Sequence, residues 1–253
     1  RNLMDHAYLL SWALMPQICG VMRGTNCTGG IVDLRGGPFR SRQAAFSVDI
    51  HNDGWGWAVG SPYSDLIELV DSQNKYGQDL RQGLIDRVSR QLQLAFMIEV
   101  MPNPSNRVYV DPAYKPDRLG NMRPVLSYNI PDYSMRGAAY ARQFAKLLFQ
   151  RLGAADYTAY DPADYGYVAY EGEGYVIRGG NHLAGTHVMG SDRNSSVVDA
   201  DQRSWDHDNL FLCGGGSMPT IGTANVTLTI AALCFRSAQA MLKQLATAKS
   251  RAA

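Results

Sequence analysis

The stretch Asn181–Thr229, NHLAGTHVMGSDRNSSVVDADQRSWDHDNLFLCGGGSMPTIGTANVTLT, decides the reading of the whole chain. Within it, Asn209-Leu210-Phe211-Leu212-Cys213 is a short apolar run bounded by Asp206-His207-Asp208 and by glycines, which predicts a buried strand. Gly214-Gly215-Gly216 follows and presents bare backbone N–H groups at the strand end, and Pro219 closes the turn. From Thr223 the apolar positions Val226, Leu228, Ile230, Ala231, Leu233, Cys234, Ala238, Met241, Leu242 and Leu245 recur at helical spacing. They predict a helix of about twenty residues, buried near its start and amphipathic later, led in by Thr220, Thr223 and Asn225. The N-terminus of such a helix offers unpaired N–H donors and a partial positive charge to an anion or an electron-rich ring edge.

Four groups of residues in this stretch stand in a fixed order. They are His-x-x-Gly-Thr-x-x-Met-Gly (His182 to Gly190), Ser-Val-Val-Asp (Ser196 to Asp199), Asn-Leu-Phe (Asn209 to Phe211) and Pro-Thr-x-Gly-x-Ala-Asn-x-Thr-Leu-Thr (Pro219 to Thr229). The order resembles the C-terminal signature of the glucose-methanol-choline (GMC) flavoprotein oxidoreductases, nearest to bacterial FAD-dependent sugar and polyol dehydrogenases, with pyranose oxidases as cousins. The opening Arg1-Asn2-Leu3-Met4-Asp5-His6 resembles an Asn-Leu-x-Asp-His segment of that family which falls in mid-chain in complete members.

The chemistry the resemblance implies needs particular residue types. Oxidising an alcohol removes a hydroxyl proton and a hydride, and no protein side chain accepts hydride, so a redox cofactor is required. A neutral imidazole is a suitable proton acceptor near pH 7, and a neutral amide holds a hydroxyl oxygen without competing for the proton. In the resemblance His182 falls on the active-site base and Asn225 on the second catalytic position, which is His or Asn in different members. Gly214 and Gly215 match residues that approach the ribityl-pyrophosphate region of FAD, and Asn225, Val226 and Thr227 match the segment beside the flavin pyrimidine. There the helix N-terminus would stabilise negative charge on the reduced ring. His187 stands at a position that varies in the family and reads as a supporting or structural residue. No residues suggest a metal site.

The family holds the ADP part of FAD in a Gly-x-Gly-x-x-Gly turn near its N-terminus, and no such turn follows a strand here; Gly29, Gly30, Gly36 and Gly37 lack the spacing. The resemblance therefore covers the C-terminal half of a complete enzyme and implies that FAD is held jointly with an N-terminal segment or chain absent from this sequence. An opening on Arg1 rather than Met reads as a fragment or processed product.

The remaining chain reads as scaffold. Its 253 residues, 45% apolar and 19% charged, suffice for a packed core, and a net charge of +1 gives no electrostatic argument for nucleic acid or membrane. No apolar run reaches membrane-spanning length and no secretory signal pattern is present. Cys19, Cys27, Cys213 and Cys234 include no CxxC pair and read as buried free thiols rather than a disulfide. Residues 7–75, with short apolar runs such as Tyr8-Leu9-Leu10 and Ile31-Val32-Asp33-Leu34, read as irregular structure with some strands. Trp55-Gly56-Trp57 reads as a core edge or a carbohydrate surface. Tyr76–Gln93 has helical periodicity, Gln93–Met101 alternates as a strand, Asn106–Val110 and Pro124–Ile130 are further strands, and Asp132 caps a helix running to Leu152 before Gly153. The tyrosines from Tyr157 to Tyr175 crowd a loop that reads as a substrate lid or a subunit contact.

Together these readings predict an α+β chain. An antiparallel sheet flanked by helices forms a substrate-binding domain over 1–204, and a C-terminal strand and helix, 205–253, complete a Rossmann-like FAD-binding domain whose N-terminal part is absent. The function implied is FAD-dependent oxidation of a sugar or polyol CH–OH group, with an electron-transfer subunit as a further partner. Alternatives are an oxygen-using pyranose-type oxidase and a non-catalytic carbohydrate-binding subunit. The compartment, bacterial cytoplasm or periplasm, is not set by the sequence.

Overall fold

The computed structural model describes residues 1–252, with the side chains of residues 28 and 248–252 left aside. The strands are β1 (Ala7–Leu14), β2 (Cys27–Ile31), β3 (Phe46–His51), β4 (Gln91–Ile98), β5 (Arg107–Val110), β6 (Pro124–Ser127), β7 (Ala155–Asp156), β8 (Tyr167–Tyr170) and β9 (Glu173–Gly179). The α-helices are α1 (Gly56–Val59), α2 (Tyr63–Ile67), α3 (Gly77–Val88), α4 (Asp132–Arg151) and α5 (Thr227–Ala252). The chain divides into two compact units, one of Arg1–His6, Glu99–Pro131 and Gly180–Ala253, the other of Ala7–Ile98 and Asp132–Gly179. The α+β character expected from the sequence is what the chain adopts.

The second unit is built on one antiparallel sheet in the order β2-β3-β4-β1-β9-β8, with β7 pairing the end of β1. Its central pair, β1 and β4, runs in register from Ala7 opposite Ile98 to Leu14 opposite Gln91. β1 is one of the strands expected among the early residues and extends well beyond the run Tyr8-Leu9-Leu10. Tyr8, Leu9, Trp12 and Ala13 are all buried, so the strand is apolar on both faces and lacks the polar/apolar alternation that marks a half-exposed strand. The tyrosine-rich loop is corrected: β8 and β9 form a hairpin within it, and Tyr160 hands its hydroxyl proton to the Leu10 carbonyl at 2.6 Å.

Helix α4 begins and ends close to where the sequence placed it, with Gly153 just beyond it at φ +64°. Met135, Ala138, Ala141, Ala145 and Phe149 recur every three or four residues and are buried. Gly137 lets the helix approach closely: a Cβ there would lie 2.8 Å from the Ala44 Cβ and 3.1 Å from Ile98 Cγ2. The predicted helix from Tyr76 is shorter, Gly77–Val88, because the chain turns at Ser89 and Arg90 to enter β4 two residues earlier than expected.

Two glutamines on β4 are fully buried, and each amide oxygen accepts a backbone N–H. Gln93 Oε1 accepts the Ala58 N–H at 3.0 Å and Gln91 Oε1 accepts the Trp55 N–H at 3.0 Å, so the loop carrying Trp55 and Trp57 is clamped to the sheet. Trp55 is buried and its indole N–H donates to the Ala13 carbonyl at 3.1 Å, whereas Trp57 is exposed. The Trp-Gly-Trp segment thus supplies one core residue and one surface residue. Gln91 Nε2 also donates to Asp65 Oδ2 at 2.7 Å, and buried Asp65 further accepts Ser61 Oγ and pairs with Arg87 Nε at 2.6 Å.

In the first unit β5 and β6 form a two-stranded antiparallel ribbon. Residues 209–213 correct the predicted buried strand: Phe211 makes one bridge, to Arg203, and Leu210 and Cys213 are exposed. Its pairing among the described residues stops at that bridge, flanked by the Ser204 N–H to the Leu210 carbonyl and the Leu212 N–H to the Gln202 carbonyl, both at 2.9 Å. α5 starts at Thr227 rather than Thr223, because Ile221, Thr223 and Val226 are buried as a turn in which Gly222 has φ +59°. Its start is also not buried: Leu228 is 82% exposed and Phe235 74%, and Leu242 and Leu245 are exposed on later turns. All four cysteines are free, but Cys19, Cys27 and Cys213 are exposed and Cys234 half-buried, which corrects their expected burial. Among the described residues no helix is long and apolar enough to cross a membrane.

Asp65→Ala removes the shared acceptor of Ser61, Gln91 and Arg87 and leaves a buried amide and a guanidinium without it, so the protein should lose about 3–5 kcal/mol of stability. Thermal and denaturant unfolding measure this, and the Gln91→Leu/Asp65→Leu double variant should lose less than the single Asp65→Ala variant.

Candidate active site

The site forms around His182, where Gly179 ends β9 and the chain turns through Gly180 and Asn181 at φ +58°. A Cβ on Gly180 would lie 2.9 Å from His182 Nδ1 and 3.2 Å from the His6 Cβ, so the turn needs glycine for the two imidazoles to meet. The His182 backbone N–H donates to Asp5 Oδ1 at 2.8 Å. Its ring stands edge-on to that of His6, with centroids 4.9 Å apart and planes at 87°, and the two Nδ1 atoms are 2.9 Å apart. His6 Nε2 lies 3.0 Å from the Gly222 carbonyl oxygen. His6 therefore joins His182 to the turn that leads into α5, three residues ahead of Asn225. Motif reading assigns no role to His6, although it ends the Asn-Leu-x-Asp-His segment.

His6 is fully buried, and burial is the main reason its pKa falls from 6.5 to about 4. The Gly222 carbonyl and the carboxylates of Asp5 and Glu99 pull the other way, and His182 adds to the lowering. The His182 side chain is half-buried, and among the described residues its ring makes no hydrogen bond other than that to His6.

Motif glycines earn their places by close approach. Gly185 has φ +86°, and a Cβ there would sit 2.3 Å from the Asn2 carbonyl oxygen. A Cβ on Gly215 would lie 2.6 Å from the Leu183 carbonyl oxygen, and one on Gly216 would overlap the His187 ring at 2.2 Å. His187 is thereby packed on the glycine turn, its N–H donating to the Gly216 carbonyl at 2.9 Å and its pKa lowered chiefly by burial. Gly214 differs: at φ +107° its Cβ direction meets nothing within 4 Å, so its backbone presents an open face.

The glycine turn is tied to α5 by buried side chains. Gln202 Nε2 donates to Ser217 Oγ at 2.5 Å, Ser217 Oγ donates to the Gly214 carbonyl at 2.9 Å, and Ser237 Oγ on α5 donates to Gln202 Oε1 at 2.5 Å. Asn225 and Thr227 are exposed at the helix start and Val226 is buried beneath them. The structure thus brings His182 to the turn before Asn225 through His6, and holds Gly214 and Gly215 beside the helix through Gln202. Among the described residues there is no cluster of three or more His, Cys, Asp or Glu suited to a metal ion.

Comparison with known proteins places the chain in a family. The GMC oxidoreductase family matches residues 102–234, over half of the chain and including His182 and Asn225, and the chain belongs to that family. It is similar to the fructose dehydrogenase large subunit of Gluconobacter japonicus, 30% identical over 245 residues, covering 97% of this chain and 41% of that protein. It is also 29% identical over 177 residues to paromamine 6'-oxidase of Streptomyces fradiae, covering 70% of this chain and 29% of that one. Pyridoxine 4-oxidase from Mesorbium loti shares the fold, with a TM-score of 0.52 at 16% identity over 94% of this chain and 42% of that chain. The chain spans about two fifths or less of the length of these curated relatives.

Because the pKa of His6 is lowered, the folded state resists binding a proton that the unfolded chain binds below 6.5. Stability contributed by neutral His6 is fully present above pH 6.5 and is lost as pH falls toward 4, at about 1.4 kcal/mol per pH unit. The stability difference between wild type and His6→Gln, followed by unfolding from pH 7 to pH 4, should shrink across that window.

Proposed function

We propose that the protein of which this chain is part oxidises a CH–OH group of a sugar or polyol, with FAD as cofactor and His182 as the proton acceptor. The observation that carries this reading is the His182 ring, held at one nitrogen by buried His6 and by no other side chain among the described residues. The relatives named as fructose dehydrogenase and paromamine oxidase support the substrate class.

The residues present suit the flavin that the family implies. Gly214 offers open backbone where a Cβ would meet nothing, and Asn225 and Thr227 lie exposed at the N-terminus of a 26-residue helix whose unpaired N–H groups favour negative charge. When bound, FAD supplies the acceptor for the hydride, which no side chain can provide. The chain's own part is to take the hydroxyl proton on His182, to orient the hydroxyl oxygen with the Asn225 amide, and to fix His182 through Asp5 and His6.

The stretch from residue 205 onward is proposed to belong to the FAD-binding part. Leu228, Phe235, Leu242 and Leu245 form an exposed apolar stripe on α5, too extensive for a free surface and suited to burial against the rest of that part. Residues 1–204 are proposed to be mainly the substrate-binding part. An oxygen-using oxidase is the second reading, favoured by the likeness to paromamine 6'-oxidase.

His182→Ala should slow anaerobic flavin reduction by the alcohol by roughly a hundredfold or more, the usual worth of a positioned base, with a smaller effect on substrate binding. An unchanged rate would sink the assignment. Repeating wild-type turnover with oxygen and with a dye or quinone as sole acceptor separates oxidase from dehydrogenase. Residues 1–253 expressed alone should bind FAD poorly in a flavin absorbance titration, since no dinucleotide-binding turn is present in them; stoichiometric binding would contradict the joint-site reading.

A further inference from the structure

We propose that His6 is a positioning residue that holds His182 in the tautomer with its proton on Nδ1, leaving Nε2 bare to receive the substrate hydroxyl proton. The inference rests on His182 being the proton acceptor and adds which nitrogen acts and what fixes it.

The argument is one of donors and acceptors. The Gly222 carbonyl can only accept, so His6 Nε2, 3.0 Å away, carries a hydrogen. A neutral imidazole has one N–H, so His6 Nδ1 is then a bare acceptor. The 2.9 Å contact between the two Nδ1 atoms needs one hydrogen between them, and it must come from His182. His182 Nε2 is left as the lone-pair nitrogen. Were the proton of His182 on Nε2 instead, two lone pairs would face each other at 2.9 Å in a buried place.

The chain of bonds holds only while His6 is neutral. Its burial ensures that down to a pKa of about 4, even with the Asp5 and Glu99 carboxylates and the His182 ring around it. Asp5 is turned to other work, accepting the His182 backbone N–H at 2.8 Å. When the substrate O–H bond breaks and the Nε2–H bond forms, the Nδ1–H of the resulting imidazolium stays on His6 and the bond between the rings strengthens. Nothing has to rotate. The electron pair left on oxygen would close the carbonyl as the hydride leaves carbon, FAD, when bound, supplying the acceptor for that hydride. His6 does for His182 what a carboxylate does for the histidine of a hydrolase triad, but as a neutral acceptor too weakly basic to take the proton itself.

Two variants separate the two ends of the His6 ring. In His6→Gln the amide nitrogen overlies Nε2 and keeps the bond to Gly222, while the acceptor facing His182 is lost. In His6→Asn the side-chain oxygen overlies Nδ1 and keeps that acceptor, while the tie to Gly222 is lost. The intact protein labelled with 15N-histidine reports the His182 tautomer from the two ring-nitrogen shifts, and anaerobic flavin reduction reports the rate. Wild type and His6→Asn should show His182 protonated on Nδ1. His6→Gln should show a mixture, with maximal reduction rate lowered at least about tenfold and KM little changed, and His6→Asn should recover most of that rate.

Wild-type His182 carrying its proton on Nε2 would overturn the proposal without any variant. So would His6→Gln retaining both tautomer and rate, or equal losses in both variants with the tautomer unaltered, which would make His6 a packing residue. If His182→Ala reduces flavin at the wild-type rate, it is the base assignment that fails, and the 15N shifts still decide the tautomer.

Discussion

The arrangement of the first unit depends on four consecutive residues that each reach a different part of the chain. The Leu3 N–H donates to the Asn106 carbonyl and the Met4 N–H to the Ala184 carbonyl, both at 2.9 Å. The Asp5 carboxylate takes the His182 N–H, its backbone carbonyl takes the Tyr128 hydroxyl at 2.9 Å, and His6 reaches Gly222. Leu3, Met4, Asp5 and His6 are all buried. Removing this segment from water is offset by the partners its polar groups find, and those partners bring residues 106, 128, 182 and 222 together.

The glycines of the signature follow from this segment. Gly185 is glycine because the Asn2 carbonyl occupies the space a side chain would need, and Gly180 because the two imidazoles do. The same logic runs on through Gly215 against the Leu183 carbonyl and Gly216 against His187. The signature is thus a record of backbone approaches as much as of chemistry, and His187 owes its place to packing on a turn.

What was legible in the sequence was what local chemistry determines. α4 could be placed because its apolar positions keep helical spacing and Gly153 stops it, and β4, β5 and β6 because alternation or short apolar runs mark them. β1 was marked only by the run Tyr8-Leu9-Leu10, since a strand buried on both faces has no period-two signal, and β8–β9 hid behind tyrosines that look like loop residues. The segment 209–213 has the composition of a strand, but pairing is a property of neighbours, and the neighbour described beside it is the short turn 202–204, met through the single bridge of Phe211 with Arg203. At the site, His182 and Asn225 stood out by motif, while His6 did not. Its partners lie 176 and 216 residues away, a separation that no local pattern encodes.

That separation also orders the events of folding. β1, β3 and β4 lie within residues 7–98 and can pair as soon as those residues are available. Residues 3–6 cannot: their partners are spread from 106 to 222, and closing such loops costs chain entropy before any contact repays it. During synthesis the bonds from Leu3 and Met4 to the Asn106 and Ala184 carbonyls therefore form only after those residues have left the ribosome. The imidazole pair needs residue 182 and its tie to the Gly222 carbonyl needs residue 222, so the fixed orientation of His182 is complete only once the turn before α5 is made.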